Sequence, residues 1–242
     1  MTTTATHVIL VPGFWLGGWA WDDVVPALRD AGLDPHPVTL PGLAPGDDVS
    51  GVTAAVTRAD HVAAVTDLLD TLDGDVVLVG HSGGGAVVGE VVDRRPDRVR
   101  RAVYVDSGPL EDGAALALDL PADVTGLPLP SWDELAAEGS SLDGLDDAAL
   151  SRFRERAVPH PARVARGEVH VGETRRFDVP VTAVCTSLPS DVLRTMVDGG
   201  PPLHTELGRF DVTYVDLPTG HWPMFSRPDD LAAAIVEAAR AS

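Results

Sequence analysis

The 242-residue chain contains no lysine; all 18 of its basic residues are arginine. Without an ε-amino group, Schiff-base chemistry, a pyridoxal phosphate anchor and a phosphate-loop lysine are excluded. A single cysteine, Cys185, rules out an intrachain disulfide and a Cys-rich metal knuckle, so stability must come from packing. No segment approaches the roughly 20 unbroken apolar residues that a membrane span needs. Positive charge is also scarce: 37 acidic residues against 18 basic ones give a formal charge of −19. That balance repels nucleic acid and anionic membrane surfaces, and neither is expected as a partner. Local spacing offers no His-x-x-x-His pair and no compact carboxylate cluster, so no metal and no other cofactor is expected. The polar run Met1–Thr6 has neither a basic segment nor a small-residue cleavage site after an apolar stretch. An unprocessed, cytoplasmic chain is the expectation.

Apolar residues make up 44% and charged residues 23%, ordinary for a globular protein, and the length suits one domain with a full core. Four short β-branched or apolar runs read as buried strands: His7–Val11, Asp75–Val79, Arg101–Val105 and Val181–Thr186. Asp34–Leu40 and Asp211–Leu217 are weaker candidates. Helical apolar spacing marks Trp21–Ala31, Thr57–Leu72, Gly84–Asp93 and Pro228–Ala239. This alternation predicts a mostly parallel central sheet with helices on both faces. The stretch from Ser107 to Asp178 breaks the alternation and carries helix signals at Ser131–Glu138 and Asp146–Ala157. It reads as a small inserted lid (107–178) on a core formed by residues 1–106 and 179–242, with a surface elaboration as the alternative.

The sharpest local signal is Val76-Val77-Leu78-Val79-Gly80-His81-Ser82-Gly83-Gly84, a buried strand that runs through Gly-His-Ser-Gly-Gly into a helix. It matches the G-x-S-x-G nucleophile elbow, where a serine sits on a strained strand-to-helix turn and Gly80 and Gly84 remove the Cβ atoms that would collide there. A serine hydroxyl needs a base to take its proton. His221 is placed for that role, downstream of the serine and just after the strand candidate and the turn Pro218-Thr219-Gly220. His160, His170 and His204 read as structural histidines. An oxyanion would take backbone donors from Gly83 and from Phe14, in the loop Val11-Pro12-Gly13-Phe14-Trp15. Trp15, Trp132 and Trp222 are candidates for lining a substrate pocket, although aromatics here also serve plain packing.

On these residues, the chain resembles the α/β-hydrolase superfamily and, within it, the plant methylesterase and hydroxynitrile lyase group. The similarity spans nearly the whole chain and is carried by His7–Trp21, Val76–Gly85, Val184-Cys185-Thr186 and Gly220–Pro228. Three departures are informative. Pro12 stands where a histidine usually precedes the oxyanion-loop glycine. Gly13 and Trp222 stand where hydroxynitrile lyases of the group carry threonine and lysine, which favours the esterase-like state. Leu188 occupies the position of the group's triad acid, two residues beyond Val-Cys-Thr.

Another carboxylate must therefore orient His221. Asp106, at the end of the strand Arg101–Val105, is preferred because a strand-end side chain is held rigidly. Asp191 is the competitor, though it also suits capping of a helix over Val192–Val197, and Asp106 itself could be a turn-forming aspartate. The resemblance implies a serine hydrolase that cleaves a carboxylic ester or lactone of a small to medium apolar substrate through an acyl-enzyme on Ser82. A lyase or cyclase using His221 as acid and base is the alternative, and a binding protein on the same fold is the third reading.

Overall fold

Successive residues along the central strands enter different cores, the period of two that buried strands require. In the computed structural model the described residues are 6–47, 54–199 and 205–241; His204 and the N-terminal run ahead of Thr6 lie outside them. Six strands, β1 (His7–Val11), β2 (Asp34–Pro37), β3 (Val76–His81), β4 (Val99–Val105), β7 (Val181–Cys185) and β8 (Val212–Asp216), form one sheet in the order β2-β1-β3-β4-β7-β8. Every pairing in it is parallel. Val8, Leu10, Val77 and Val79 join one core with helices α1 (Val25–Asp30) and α9 (Pro228–Arg240). Ile9, Val11, Val76 and Leu78 join the other with α2 (Arg58–Thr71) and α3 (Gly84–Arg94). This is the expected parallel sheet with helices on both faces.

The chain starts at β1, steps outward to β2 and then returns to the other side of β1 at β3. That reversal opens a crevice between the C-terminal ends of β1 and β3, where open α/β sheets bind ligands. Residues Phe14 and Ser82 follow those two strand ends.

Two sequence expectations shift. The helix expected over Trp21–Ala31 divides into a tight turn at Gly18–Trp21 and the shorter α1, whose start is fixed by Pro26 in its first turn. Strand β2 ends at Pro37 rather than Leu40, because the chain turns there and the Thr39 hydroxyl takes the Gly18 amide at 2.9 Å.

Between β4 and β7 lie a two-stranded antiparallel pair, β5 (Gly126–Leu127) with β6 (His160–Pro161), and the helices α4 (Trp132–Ala137), α5 (Asp147–Arg156) and α6 (Ala162–Arg166). Ser131 accepts from Glu134 N at 3.3 Å while Glu134 accepts from Ser131 N at 2.8 Å, the reciprocal cap that starts α4. The segment is packed into the body: Leu135 and Phe153 are fully buried in the same cluster as Trp222 and Met224. After β7 comes α7 (Ser190–Gly199), and α8 (Pro223–Ser226) precedes α9. No helix among the described residues is long and apolar enough to cross a membrane.

Candidate active site

Three non-glycine residues hold positive φ angles among the described residues, Trp15 at 65°, Ser82 at 49° and Asp106 at 45°. Such conformations are costly for residues with a Cβ and persist where the surroundings enforce them. The three residues follow the C-terminal ends of β1, β3 and β4 respectively. Ser82 N donates to Val105 O at 3.2 Å, and Ser82 O accepts from Gly85 N at 2.9 Å and from Ser107 Oγ at 2.7 Å, so the turn is tied on both sides. Close approach explains the glycines: a Cβ on Gly84 would lie 2.6 Å from Pro12 O, and one on Gly80 3.0 Å from Gly84 O.

From this turn Ser82 Oγ meets His221 Nε2 at 2.9 Å. On the other side of the ring, His221 Nδ1 lies 2.6 Å from Asp106 Oδ2. A carboxylate there assigns the ring proton to Nδ1 and leaves the Nε2 lone pair for the serine proton. Asp106 Oδ1 also accepts from Thr186 N at 3.3 Å and Ser187 N at 3.1 Å, and Oδ2 accepts from Ser187 Oγ at 2.6 Å. Burial would raise the Asp106 carboxyl, but the bonds from His221, Ser187 and Thr186 outweigh it and hold the group well below the usual carboxylate range. Asp191 lies elsewhere: exposed in the first turn of α7, it accepts from its neighbour Val192 N at 2.8 Å. Leu188 lines the larger cavity instead of carrying a carboxylate. Since β4 and β7 are neighbours in the sheet, the carboxylate reaches His221 from the adjacent strand end.

The imidazole is held through its backbone. His221 N donates to Ser141 O at 2.7 Å and Gly220 N to Asp143 O at 2.9 Å, both from the 107–178 segment. A Cβ on Gly220 would stand 2.6 Å from Ser141 O and 2.7 Å from Asp143 O, so the clamp closes only on glycine. From below, His81 Nε2–H donates to His221 O at 2.7 Å. His81 is fully buried, and that burial pushes its pKa down to about 3, so it is a neutral donor. Sequence reasoning missed Ser107, Ser187 and this clamp. Ser107 and Ser187 adjoin positions it had singled out, whereas nothing local to Ser141 or Asp143 signals a contact some 80 residues away.

Phe14 N and Gly83 N donate to no other backbone group among the described residues. Gly83 directly precedes α3, where helix amides and dipole favour negative charge. The Phe14 ring covers Gly83 and is stacked on buried His160 at 3.9 Å between centroids. Exposed His170 lines neither cavity at Ser82.

Two cavities meet at the Ser82–His221 pair. The larger, about 450 Å³, has apolar walls from Ala86, Leu110, Leu188 and Leu193. The smaller, about 200 Å³, is lined by Phe14, Trp15 and Trp222; Leu116 and Ser140 border both. Trp15 is fixed by its indole N–H on Leu127 O at 2.9 Å. Trp222 is 2% exposed, packs against Phe153 and the His221 ring, and borders the smaller cavity. The pocket role expected of Trp132 is not met, since its ring lies under Arg154 at 4.0 Å and borders a separate surface hollow. As first residue of α4 it packs with α5, away from Ser82. Cys185 borders the larger cavity, but burial pushes its thiol up to about 12, so it stays protonated.

The model of the Alpha/beta hydrolase family matches residues 8–234. Pyrethroid hydrolase of Sphingobium wenxiniae is 28% identical over 98% of this chain and 89% of that protein. Methylesterase 3 of Arabidopsis thaliana is 26% identical over 96% of this chain and 95% of its own. Among solved structures, a pyrethroid hydrolase from Sphingobium faniae superposes with a TM-score of 0.69 at 27% identity, covering 98% of both chains.

Proposed function

Because the chain belongs to the alpha/beta hydrolase family and is a carboxylesterase-like hydrolase, we propose that Ser82, His221 and Asp106 form its catalytic triad. The observation that carries this reading is the continuous chain from Ser82 Oγ through both ring nitrogens of His221 to Asp106. His221 Nε2 takes the hydroxyl proton as Ser82 Oγ attacks the ester carbonyl. The amides of Phe14 and Gly83 receive the oxyanion, and ionised Asp106 stabilises the imidazolium. His221 then protonates the departing alcohol. A water deprotonated by His221 cleaves the acyl-enzyme and frees Ser82 and the acid.

The substrate is a carboxylic ester or lactone of small to medium, apolar character. The 450 Å³ cavity with its leucine walls supports that class, as do the relatives named for pyrethroid and methyl ester hydrolysis. Trp15 and Trp222 contact the part of the substrate in the smaller cavity, and the 107–178 segment serves as a lid. The enzyme acts on a small molecule without a cofactor, in the cytoplasm. The test is turnover of p-nitrophenyl butyrate with a pre-steady-state burst, together with labelling of Ser82 by a fluorophosphonate. Both are expected in the wild type and lost in Ser82→Ala. Turnover without a burst or label would instead indicate that Ser82 only hydrogen-bonds.

A further inference from the structure

At the opposite end of the sheet, the N-terminal ends of β1 and β2 bring His7, Asp34 and His36 together. His7 Nδ1 lies 3.0 Å from Asp34 Oδ2 and 3.1 Å from His36 Nε2, and the last two atoms are 3.3 Å apart. His7 faces Asp34 in the parallel register, and His36 follows two residues later on the same face of β2, so backbone pairing sets the three positions. We propose that this triangle is a site for a divalent transition-metal ion of the zinc class, held by two imidazoles and one carboxylate.

The dimensions fit. An ion about 2.05 Å from all three atoms would sit about 1 Å out of their plane, with ligand–metal–ligand angles of roughly 94° to 107°. Those angles fall between octahedral and tetrahedral values. His7 Nε2–H donates to Asp73 O at 3.1 Å, which leaves a lone pair on Nδ1 in the neutral ring. A backbone carbonyl on the far nitrogen is the usual way in which a metal-ligating histidine is oriented. Nδ1 and the carboxylate then present two electron pairs to each other at 3.0 Å, repulsive unless a cation lies between them. Two nitrogens and one oxygen favour zinc, nickel, cobalt or copper over magnesium or calcium. His7 and His36 are partly buried and Asp34 is half exposed, so solvent can complete the coordination shell. Local spacing does not reveal the set, because it is assembled across two strands.

A proton shared among the three groups is the competing explanation, and metal titration separates the two. The full-length chain, stripped with EDTA and desalted, is titrated with zinc chloride at pH 7.5 by isothermal calorimetry. One zinc per chain is expected, with affinity weakened at least tenfold in His36→Ala and in Asp34→Asn and unchanged in His221→Ala, which controls for the active-site imidazole. Cobalt(II) added to the wild type should give a visible ligand-field band that His7→Ala removes, a readout that does not depend on the edge-strand variants folding. Absence of a stoichiometric isotherm, or one that His36→Ala leaves unchanged, would overturn the proposal.

Discussion

Replacing Asp106 by asparagine isolates one consequence of the hydrogen-bond pattern. The side chain keeps its shape, so its orientation is decided by its partners. One oxygen now accepts two backbone amides, Thr186 N and Ser187 N. Those donors do not change, and they will hold the asparagine oxygen. The amide NH2 is thereby turned toward Ser187 Oγ and His221 Nδ1. The serine hydroxyl can rotate to accept, but Nδ1 must also become an acceptor, which moves the ring proton to Nε2. The nitrogen 2.9 Å from Ser82 Oγ would then carry hydrogen and could not accept one. A wrong tautomer of this kind costs about 10⁴ in kcat in the triad template, or about 5.5 kcal/mol of barrier. Steady-state hydrolysis of p-nitrophenyl butyrate at pH 7.5 measures it, beside a thermal melt expected to lie within a few degrees of wild type. Asp191→Asn, remote from the ring, should leave kcat unchanged. An Asp106→Asn enzyme within tenfold of wild type would rule out this tautomer switch.

Stability should fall with acid before the carboxylates titrate. Burial pushes His61 down to about 4 and His81 to about 3, and holds His160 well below its ordinary value. Since unfolded histidine takes up protons near pH 6.5 and these folded groups do not, stability is complete above that pH and is lost as pH falls toward 4. His61 and His81 each contribute about 2 kcal/mol of loss by pH 5, a large share of an ordinary ~5–15 kcal/mol, and His160 adds to the loss in the same direction; a Tm that is flat from pH 7 to 5 in calorimetry would contradict this. Gly220→Ala drives a Cβ into Ser141 O and Asp143 O. It should cost about 1–3 kcal/mol, read as a drop in Tm, with at least a tenfold fall in kcat as His221 shifts.

Much of the framework was legible because its signals are local. Short β-branched or apolar runs gave β1, β3, β4 and β7 to within two residues at each end, and a glycine-flanked serine between strand and helix marked the elbow. Asp106 could be singled out by its place at a strand end, and the structure brings it to the same imidazole as Ser82. Other features depend on how distant segments dock. Trp132 looked like a pocket residue only while the path of α4 and α5 was unknown. The Ser141 and Asp143 carbonyls carry no side-chain signature at all. His7 and Asp34 are 27 residues apart, and only the β1–β2 register makes them neighbours.

The clamp on the His221 turn also bears on how this scaffold can diverge. Residues 138–143 do two jobs with different atoms: carbonyl oxygens of Ser141 and Asp143 hold the histidine loop, while Glu138, Gly139 and Ser140 border the larger cavity. Side-chain exchanges at 138 and 140 can therefore reshape the cavity wall while His221 stays in register. Insertions or deletions in the same stretch would move the carbonyls and disable the enzyme. New specificities on this chain should thus arise by point substitution along a loop of conserved length.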